Sequence, residues 1–410
     1  MRSGSSACGI RYAVRRSGKA VAYCSLSIGC GSRNEEGYPA GIAHFVENTL
    51  FRGTRRKSAA VINGFLDRLG GELNAYTTKE EIVLHATVLK EDLWKAVQLL
   101  FELASEATFP DAAVETERGV ILDEIISCKD NPAEDIYDRF ESLLFGGHPL
   151  GSPILGTATS VKKITPDMLR RFVAEHFVPE RMVLSVVADI DEGLLEKRLL
   201  KALDAREAEA GKAPRRPVVP APLPETAAFR KQIDQRHHEA NAVLGCRAPS
   251  LYDMPERIAA SMLANILGGP ASNSLLNKEL REKRGWVYGI ECSYTQYADS
   301  GVMAISFGCD RPHLEACIGA VEKILRQMRE NCFSERQMKA FRKQLLGQLA
   351  IAGESGEAQC LSMGKSILAW DRVLPDGENR AAIEAVSAEQ LRDMAARLFA
   401  PERLSSLVYL

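Results

Sequence analysis

Two stretches decide the fold: NAYTTKEEIVLHATV at residues 74–88 and CSYTQYADSGVMAISFGC at residues 292–309. Both are rich in β-branched and aromatic residues, which favour a strand. Each is followed by two segments with helical spacing of apolar positions, at residues 89–109 and 112–128 in the first copy and at residues 313–330 and 334–351 in the second. The repeated order predicts a duplicated α+β unit in which a sheet is covered by helices. Two unrelated domains would give the same order, because short strand–helix runs are frequent.

A proline-rich segment separates the two copies. Residues 211–226 read GKAPRRPVVPAPLPET and contain five prolines. Proline lacks a backbone N–H and has a fixed φ, so this density excludes a helix or a central strand and favours an extended, semi-rigid linker. We therefore predict an N-terminal domain over residues 1–210, a linker over residues 211–226 and a homologous C-terminal domain over residues 227–410.

Composition restricts the class of protein. The net charge of −2 argues against a nucleic-acid or anionic-membrane surface as the main function. No run of about 18 apolar residues is present, so we expect no membrane span, and the start MRSGSSACGIRYAV does not read as a signal peptide. The ten cysteines are scattered without a C-x-x-C pair, which predicts reduced, mostly buried thiols and a cytoplasmic location.

The segment GIAHFVENTLF, residues 41–51, carries the candidate chemistry. On a helix, His44 and Asn48 lie at i and i+4 on one face, with Glu47 beside them. A helical H-x-x-E-H motif binds zinc through its two histidines and uses its glutamate as the base. Here Asn48 stands in the place of the second histidine. A polar pair exposed to solvent would show the same pattern.

A further metal ligand would have to come from another segment. The helical stretch ETERGVILDEI, residues 115–125, contains Glu117 and Glu124 at i and i+7 on one face. Either carboxylate could reach a metal ion on a neighbouring helix. Two glutamates at this spacing are also common on a solvated helix face, so the spacing alone leaves both interpretations open.

Together these segments resemble the insulinase, pitrilysin and mitochondrial processing peptidase family, whose pattern is H-x-x-E-H followed by a distant glutamate. Glu124 follows Asn48 by 76 residues, the spacing of the shorter family members. The neighbouring motifs match as well: HFVENTLFRGT from His44, LGGELNAYT from Leu69, ERGVILDEI from Glu117, ANAVLGCRAPS from Ala240 and LREKRGWVY from Leu280. The resemblance covers nearly the whole chain and implies a pair of α+β domains, each a mainly antiparallel sheet covered by helices, in a clam-like arrangement.

The resemblance implies a role for each matched residue. His44, Asn48 and Glu124 match the metal ligands, and Glu47 matches the general base. Glu117 matches an acidic residue that supports catalysis from beside the ligands. The substrate-binding residues are matched by Asn74 and Ala75, on a strand that pairs with extended peptides, and by Arg284 and Tyr288, which hold the substrate and stabilise the oxyanion.

Asn48 departs from the family pattern. Its amide oxygen is a weak, neutral donor, whereas zinc prefers histidine, cysteine and carboxylate. We therefore expect Zn2+ to be weakly bound or absent. The residue could be an engineered change, the mark of a natural inactive subunit, or a tolerated change in a weak peptidase.

Two functions remain open on this evidence. One is a zinc endopeptidase that cleaves short unfolded peptides in a closed chamber, with its metal site impaired at Asn48. The other is an inactive peptide-binding subunit that partners an active relative. A purely structural role in an assembly is disfavoured, because His44, Glu47, Glu117 and Glu124 all remain. In each case we expect unfolded peptides as partners and a homodimer or heterodimer.

Overall fold

The computed structural model describes residues 1–207, 222–236 and 238–410. Residues 211–221 of the predicted linker lie outside them. The strands in the described chain are β1 (Arg2–Ser5), β2 (Arg11–Arg16), β3 (Val21–Ile28), β4 (Glu72–Thr77), β5 (Ile82–Leu89), β6 (Met182–Ala188), β7 (Arg230–Ile233), β8 (Glu239–Ala248), β9 (Val287–Gln296), β10 (Gly301–Asp310) and β11 (Ser405–Tyr409). The α-helices are α1 (Ile42–Thr49), α2 (Ala59–Asp67), α3 (Leu93–Glu106), α4 (Asp111–Asp130), α5 (Pro132–Phe145), α6 (Ala158–Val161), α7 (Pro166–His176), α8 (Glu192–Glu207), α9 (Glu256–Gly268), α10 (Leu314–Glu330), α11 (Glu335–Ala352), α12 (Gly356–Trp370), α13 (Asp376–Ala385) and α14 (Ala388–Leu398).

The described strands form two sheets with one topology. The first has the order β1-β2-β6-β3-β5-β4, and the second has the order β7-β11-β8-β10-β9. In each sheet one pair is parallel, β2 with β6 and β7 with β11, and the other pairs are antiparallel. Apart from β1, every strand of the first sheet has a counterpart at the same place in the second. The predicted α+β duplication with mainly antiparallel sheets is therefore confirmed.

Each of the two strand-like stretches is a hairpin rather than a single strand. In the first, the backbone N–H of Thr78 donates to the carbonyl of Glu81 at 2.8 Å, and the Thr78 hydroxyl accepts the N–H of Glu80 and of Glu81. A hydroxyl that binds nearby backbone groups stabilises a tight turn. In the second, the N–H of Tyr297 donates to the carbonyl of Ser300 at 2.8 Å. The charged and turn-forming residues Lys79, Glu80, Asp299 and Ser300 mark the two turns inside stretches whose other residues favour a strand.

The chain packs into two compact units that do not follow the order of the sequence. The first comprises residues 1–126, the described chain from residue 152 to the end of α8, and residues 351–374. The second comprises residues 127–151, the described chain from residue 222 to residue 350, and residues 375–410. Helix α12 therefore belongs to the first unit and α5 to the second. The domain boundaries predicted at residues 210 and 227 remain a prediction about the duplicated halves.

These exchanged helices cover the outer face of each sheet. Helix α12 buries Met363 and Ile367 against Val183 and Val187 of β6. It lies so close to β3 that a Cβ atom on Gly364 would stand 2.6 Å from the Ser27 hydroxyl. Helix α5 packs in the same way on β8 and β11, with a larger set of buried residues that includes Ile136, Phe140, Leu144, Val243 and Leu407. Each exchanged helix therefore buries part of one face of its sheet.

The opposite face of the first sheet holds the largest core. Helices α3 and α1 pack there against β3, β5 and β4, with Phe45, Leu84 and Leu100 fully buried. The ten cysteines are free thiols, seven of them buried, as the scattered spacing predicts. None of the helices in the described part of the chain has both the length and the apolar character needed to cross a bilayer.

Candidate functional site

Helix α1 begins at a close approach between two backbone segments. Gly41 has φ of 93°, and a Cβ atom there would lie 2.6 Å from the carbonyl oxygen of Leu155. Gly156 has φ of 71°, and its Cβ would lie 2.2 Å from the carbonyl oxygen of Ala40. Only glycine combines a positive φ with contacts this short. The pair fixes where α1 begins.

A buried carboxylate holds the same end of the helix. Glu35 accepts the N–H of Gly41 and the N–H of Ala43, both at 2.9 Å. These are among the donors that the first turn of a helix leaves unpaired, and negative charge is favoured at this end. Burial nevertheless raises the pKa of Glu35 to about 7. Ile42, Phe45 and Val46 point into the core.

His44 and Asn48 lie one turn apart on α1, as the helical spacing predicts. The Asn48 Nδ2 atom is 3.3 Å from His44 Nε2. Burial lowers the pKa of His44 to about 4, so the imidazole is neutral near pH 7 and its unprotonated nitrogen accepts a hydrogen bond. The other ring nitrogen, Nδ1, is buried and has no hydrogen-bond partner. The nitrogen that faces the site thus already contacts Asn48.

Glu124 reaches the same site from α4. Its Oε2 atom lies 3.8 Å from His44 Nε2, and this oxygen is buried without a hydrogen-bond partner. A buried carboxylate oxygen without a partner is costly, because no contact replaces its lost hydration. Burial and the nearby Glu117 charge raise the pKa of Glu124. The unpartnered oxygen and the imidazole form a pair suited to a shared proton or cation.

Glu117 forms an ion pair with Arg52, a partner that the sequence analysis did not identify. Arg52, in the turn after α1, donates from Nε to Glu117 Oε1 at 2.8 Å and from Nη2 to Oε2 at 3.2 Å, and Nη2 also contacts Oε1. The Glu117 side chain is 4% exposed. Its carboxylate is therefore neutralised inside the protein and ties α4 to the end of α1. This arrangement suits the support of Glu124 better than proton transfer.

Glu47 has the environment of a general base. It is buried beside β4, and the Thr77 hydroxyl donates to its Oε2 atom at 3.3 Å. Burial raises the pKa of Glu47 to about 7, and the charges of Glu124 and Glu117 act in the same direction. A base is most effective when its pKa lies near the working pH. Glu47 can therefore bind and release a proton near neutral pH.

These residues do not fit a catalytic zinc ion. Such an ion takes three protein ligands and keeps one position for water. His44 and Glu124 supply two, and Asn48 directs an amide N–H toward the lone pair that a metal would need. Over the described ranges, no group of three or more histidine, cysteine, aspartate and glutamate residues could hold a metal ion. Position 48, which is histidine in the H-x-x-E-H motif, carries an amide in this chain.

Strand β4 forms the free edge of the first sheet, next to α1. Successive residues of a strand point to opposite faces. Ala75 packs against the core and Thr77 bonds Glu47, so this face is the α1 face. Asn74 is exposed and lies on the other face, as does Tyr76, whose ring contacts His85. Asn74 can therefore contribute its backbone, but not its side chain, to the side that carries Glu47.

Arg284 belongs to the second unit and is tightly held there. Its Nε and Nη2 atoms donate to Glu279 Oε1 at 3.1 and 2.9 Å, and its guanidinium carbon lies 4.4 Å from the centre of the Trp286 ring. Trp286 stacks in turn on His313. Gly285, with φ of 63°, makes the sharp turn that folds the arginine back over the tryptophan.

Tyr288 lies at an irregularity of the same sheet. Val287 pairs with Cys309 and Gly289 with Gly308, so Tyr288 is an extra residue in β9, a β-bulge. Bulges redirect side chains and are frequent beside active sites. The ring is 60% exposed, and its O–H donates to Asp310 Oδ1 at 2.8 Å. The hydrogen bond to Asp310 raises the pKa of Tyr288.

Four supporting residues were missed by sequence reasoning. Arg52 and Thr77 lie inside quoted motifs, but no spacing links them to Glu117 or Glu47. Asp310 ends a strand, and its contact depends on a bulge that the sequence does not announce. Glu35 lies in a loop before α1, where only the fold brings its carboxylate to the helix.

Two sheets of one topology, with a His-x-x-Glu-Asn helix beside an edge strand, define a two-domain α+β protein of the inverted-motif metallopeptidase class. The chain belongs to the insulinase family, peptidase family M16. The model of that family matches residues 11–158, and the model described as the peptidase M16 inactive domain matches residues 163–345.

Curated relatives of similar length are named as zinc proteases. An uncharacterized zinc protease of Streptomyces coelicolor is 30% identical over 368 residues, which cover 89% of this chain and 80% of the relative. An uncharacterized zinc protease of Bacillus subtilis is 29% identical over 386 residues, which cover 93% of this chain and 91% of the relative.

Solved structures agree on the fold. A protease from Helicobacter pylori has a TM-score of 0.91 at 18% identity, over 100% of this chain and 99% of that chain. A peptidase M16 inactive domain from Pseudomonas fluorescens has a TM-score of 0.87 at 20% identity, over 100% of this chain and 97% of that chain. The family and its two-domain fold are therefore established for this protein.

Proposed function

We propose that this chain is an endopeptidase scaffold of the insulinase family that binds extended peptides and does not by itself hold a catalytic zinc ion. The observation that carries the proposal is the 3.3 Å contact between Asn48 Nδ2 and His44 Nε2. An amide N–H on this nitrogen uses the lone pair that a metal would need. The amide oxygen of Asn48 is also a weak ligand.

Peptide binding draws on the edge strand β4. An extended peptide adds to a free sheet edge through backbone hydrogen bonds, which depend little on the side chains of the peptide. The proposed ligands are therefore unfolded or extended polypeptides. Ala75, the backbone of Asn74, Arg284 and Tyr288 are the proposed contacts. We also propose that the chain acts as a dimer, with an identical copy or with a related subunit that carries an intact metal site.

A weak zinc endopeptidase is the second candidate, and the environment of Glu47 favours it. The carboxylate is buried, held by Thr77, and has a pKa of about 7, which suits a base. His44 and Glu124 also face one another at 3.8 Å. A helix without a catalytic role would need neither a buried glutamate with a raised pKa nor a histidine facing a carboxylate. Under this reading only the ligand at position 48 limits the activity.

Hydrolysis and binding of one unstructured fluorogenic peptide, with added zinc, test the proposal. The chain as it stands should bind the peptide and leave it uncleaved. Asn48→His should bind zinc at least about 10-fold more tightly, by analogy with the loss of a supporting group at a metal site, and should cleave the peptide. Asn48→His/Glu47→Gln is the matched control, because it restores the ligand and removes the base.

The outcomes separate the two candidates. Cleavage by the unaltered chain that disappears on Glu47→Gln would replace the proposal with the weak endopeptidase. Failure of the unaltered chain to bind any extended peptide would reject peptide binding. If Asn48→His binds zinc and peptide but stays inert, the remaining catalytic groups belong to a partner subunit.

A further inference from the structure

The phenol of Tyr288 donates its O–H to a residue of the same unit. Its O–H points at Asp310 Oδ1, 2.8 Å away, at the end of the neighbouring strand. The bulge lifts Tyr288 out of the ladder, and the ring is 60% exposed. A phenol has one proton to donate. While the O–H donates to Asp310, the phenol oxygen presents only its lone pairs to solvent.

Arg284 is held by neighbours in the same unit but keeps hydrogen-bond donors available. Two of its N–H groups bind Glu279, and its face lies on Trp286, so the guanidinium is fixed while its remaining N–H groups stay available. An arginine can only donate. The pair therefore presents opposite polarity: Arg284 offers N–H donors suited to a peptide carbonyl, and Tyr288 offers an acceptor.

We propose that Asp310 is a positioning residue, which fixes the Tyr288 O–H so that the phenol oxygen accepts a backbone N–H of a bound peptide. The assignment rests on the proposed peptide-binding function. It names a different hydrogen-bond direction from an oxyanion-stabilising tyrosine, which must donate its O–H. It also explains why an exposed tyrosine on a bulge has a carboxylate as its partner.

Physical chemistry gives Asp310 a direct effect on affinity. A hydroxyl that donates to a carboxylate is polarised, and its oxygen becomes a better acceptor for the next donor in the chain. The sequence N–H to Tyr288 to Asp310 is such a chain. Loss of the carboxylate both weakens the acceptor and frees the hydroxyl to rotate toward solvent as a donor.

A mutant cycle on peptide affinity tests the assignment in the full chain. The probe is the same unstructured peptide, and its dissociation constant is measured by fluorescence anisotropy. We expect the affinity to fall in the order wild type, Asp310→Asn, Asp310→Ala, with a total loss of about 3- to 10-fold, the size of one hydrogen bond. In a Tyr288→Phe background both Asp310 substitutions should have no further effect.

A matched control removes a neighbouring charge without touching the phenol. Asp234 forms an exposed ion pair with Arg311 at 3.4 Å, and Arg311 follows Asp310 in the chain. Asp234→Ala should leave peptide affinity unchanged. A loss equal to that of Asp310→Ala would assign the effect to general electrostatics and overturn the positioning role.

The sign of the change separates the two directions of the hydrogen bond. If Tyr288 donates to a peptide carbonyl, Asp310→Ala frees the O–H and tightens binding, which overturns the proposal. Unchanged affinity overturns it as well. A wild-type chain that binds no peptide rejects the proposed function and this assignment together, whereas a binding chain that is insensitive to Asp310 rejects the assignment alone.

A spectroscopic readout follows the hydrogen bond itself. In protein labelled with 13C at the tyrosine Cζ carbon, the Tyr288 signal is the one that disappears in Tyr288→Phe. We expect Asp310→Asn to shift this signal and to lower the pH at which Tyr288 ionises. Added peptide should shift the signal in the wild type. A Tyr288 signal that is indifferent to Asp310 would show that the bond is not formed in solution.

Discussion

Helices α1 and α9 occupy the same place in the two copies of the fold, but α1 carries buried polar residues and α9 is mainly apolar. Helix α1 follows β3 and helix α9 follows the counterpart strand β8, and each packs against an edge strand, β4 or β9. Helix α9 is apolar along most of its length, with ten buried residues from Arg257 to Gly268. It approaches β9 so closely that a Cβ on Gly268 would lie 2.3 Å from the backbone nitrogen of Cys292.

Helix α1 fills the equivalent space with polar groups. His44, Glu47 and Asn48 all lie on α1, and the hydroxyl of Thr77 on β4 donates a hydrogen bond to Glu47. Polar groups buried in this way require partners. Glu47 obtains one from the Thr77 hydroxyl, and Glu35 accepts two backbone N–H groups at the beginning of α1. The comparison teaches that the fold supplies a helix beside an edge strand twice. The candidate site lies in the copy whose helix carries polar residues beside that strand.

The largest effect should come from breaking the ion pair between Arg52 and the buried Glu117. Arg52→Met leaves the Glu117 carboxylate buried without a counter-charge, which typically costs about 3–5 kcal/mol of the free energy of unfolding. Arg52→Met/Glu117→Gln should recover more than half of the loss, because no buried charge remains. Urea denaturation measures both.

An exposed pair provides the control for that prediction. Arg170 and Asp167 on α7 lie 3.5 Å apart with side chains 43% and 96% exposed. Arg170→Met should change the free energy of unfolding by less than about 1 kcal/mol, as is usual for surface pairs. A loss for Arg52→Met as small as this would mean that Glu117 reaches water in solution, and that α4 is not held by the pair.

The beginning of α1 gives the next largest effect and depends on pH. Helix α9 has Pro255 as its N-cap residue and no side-chain cap, whereas the first turn of α1 is bound by the buried Glu35, with a pKa of about 7 against an ordinary 4.5. Because the folded pKa is raised, this group adds stability below pH 4.5 that is lost as the pH rises to 7. The shift corresponds to about 3 kcal/mol at most.

The difference between wild type and Glu35→Gln isolates this contribution. Other carboxylates with a raised pKa, such as Glu47, titrate in both proteins and cancel in the difference. The stability of the wild type relative to the variant should therefore fall between pH 4.5 and 7 in urea denaturation. Parallel profiles over that range would show that Glu35 stays ionised, held by its two backbone donors.

The features of this comparison that depend on residues close together in the chain could be predicted from the sequence. The α1 spacing, the β character of the two strand-rich stretches and the apolar periodicity of the following helices depend on nearby residues. The helices form as predicted, and each stretch forms β structure as a hairpin of two strands. The exchange of α5 and α12 between units could not be predicted, because the spacing of apolar residues in a helix does not say which sheet the helix covers. The face of Asn74 depends on strand register, and one step of register reverses every side chain.

The pairing of Arg52 with Glu117 and of Tyr288 with Asp310 could not be predicted from the sequence either. Each joins residues on different elements, and a charged residue in a motif usually reads as a surface charge. Resemblance to a family named Glu117, Arg284 and Tyr288, but not what holds them. The candidate site could therefore be predicted as a set of residues, while its hydrogen-bond directions required the three-dimensional structure.

The smallest expected effect tests the close contact that distinguishes α9. Gly268→Ala places a methyl group where the Cys292 backbone nitrogen already stands at 2.3 Å, so helix and strand must move apart. Overpacking of this kind costs about 1–3 kcal/mol. Gly119→Ala on the exposed face of α4, with nothing within 4 Å of the new atom, should instead gain up to about 1 kcal/mol from helix propensity. If both substitutions stabilise the protein in urea denaturation, α9 already lies further from β9, and the second copy has room for the polar groups that the first one carries.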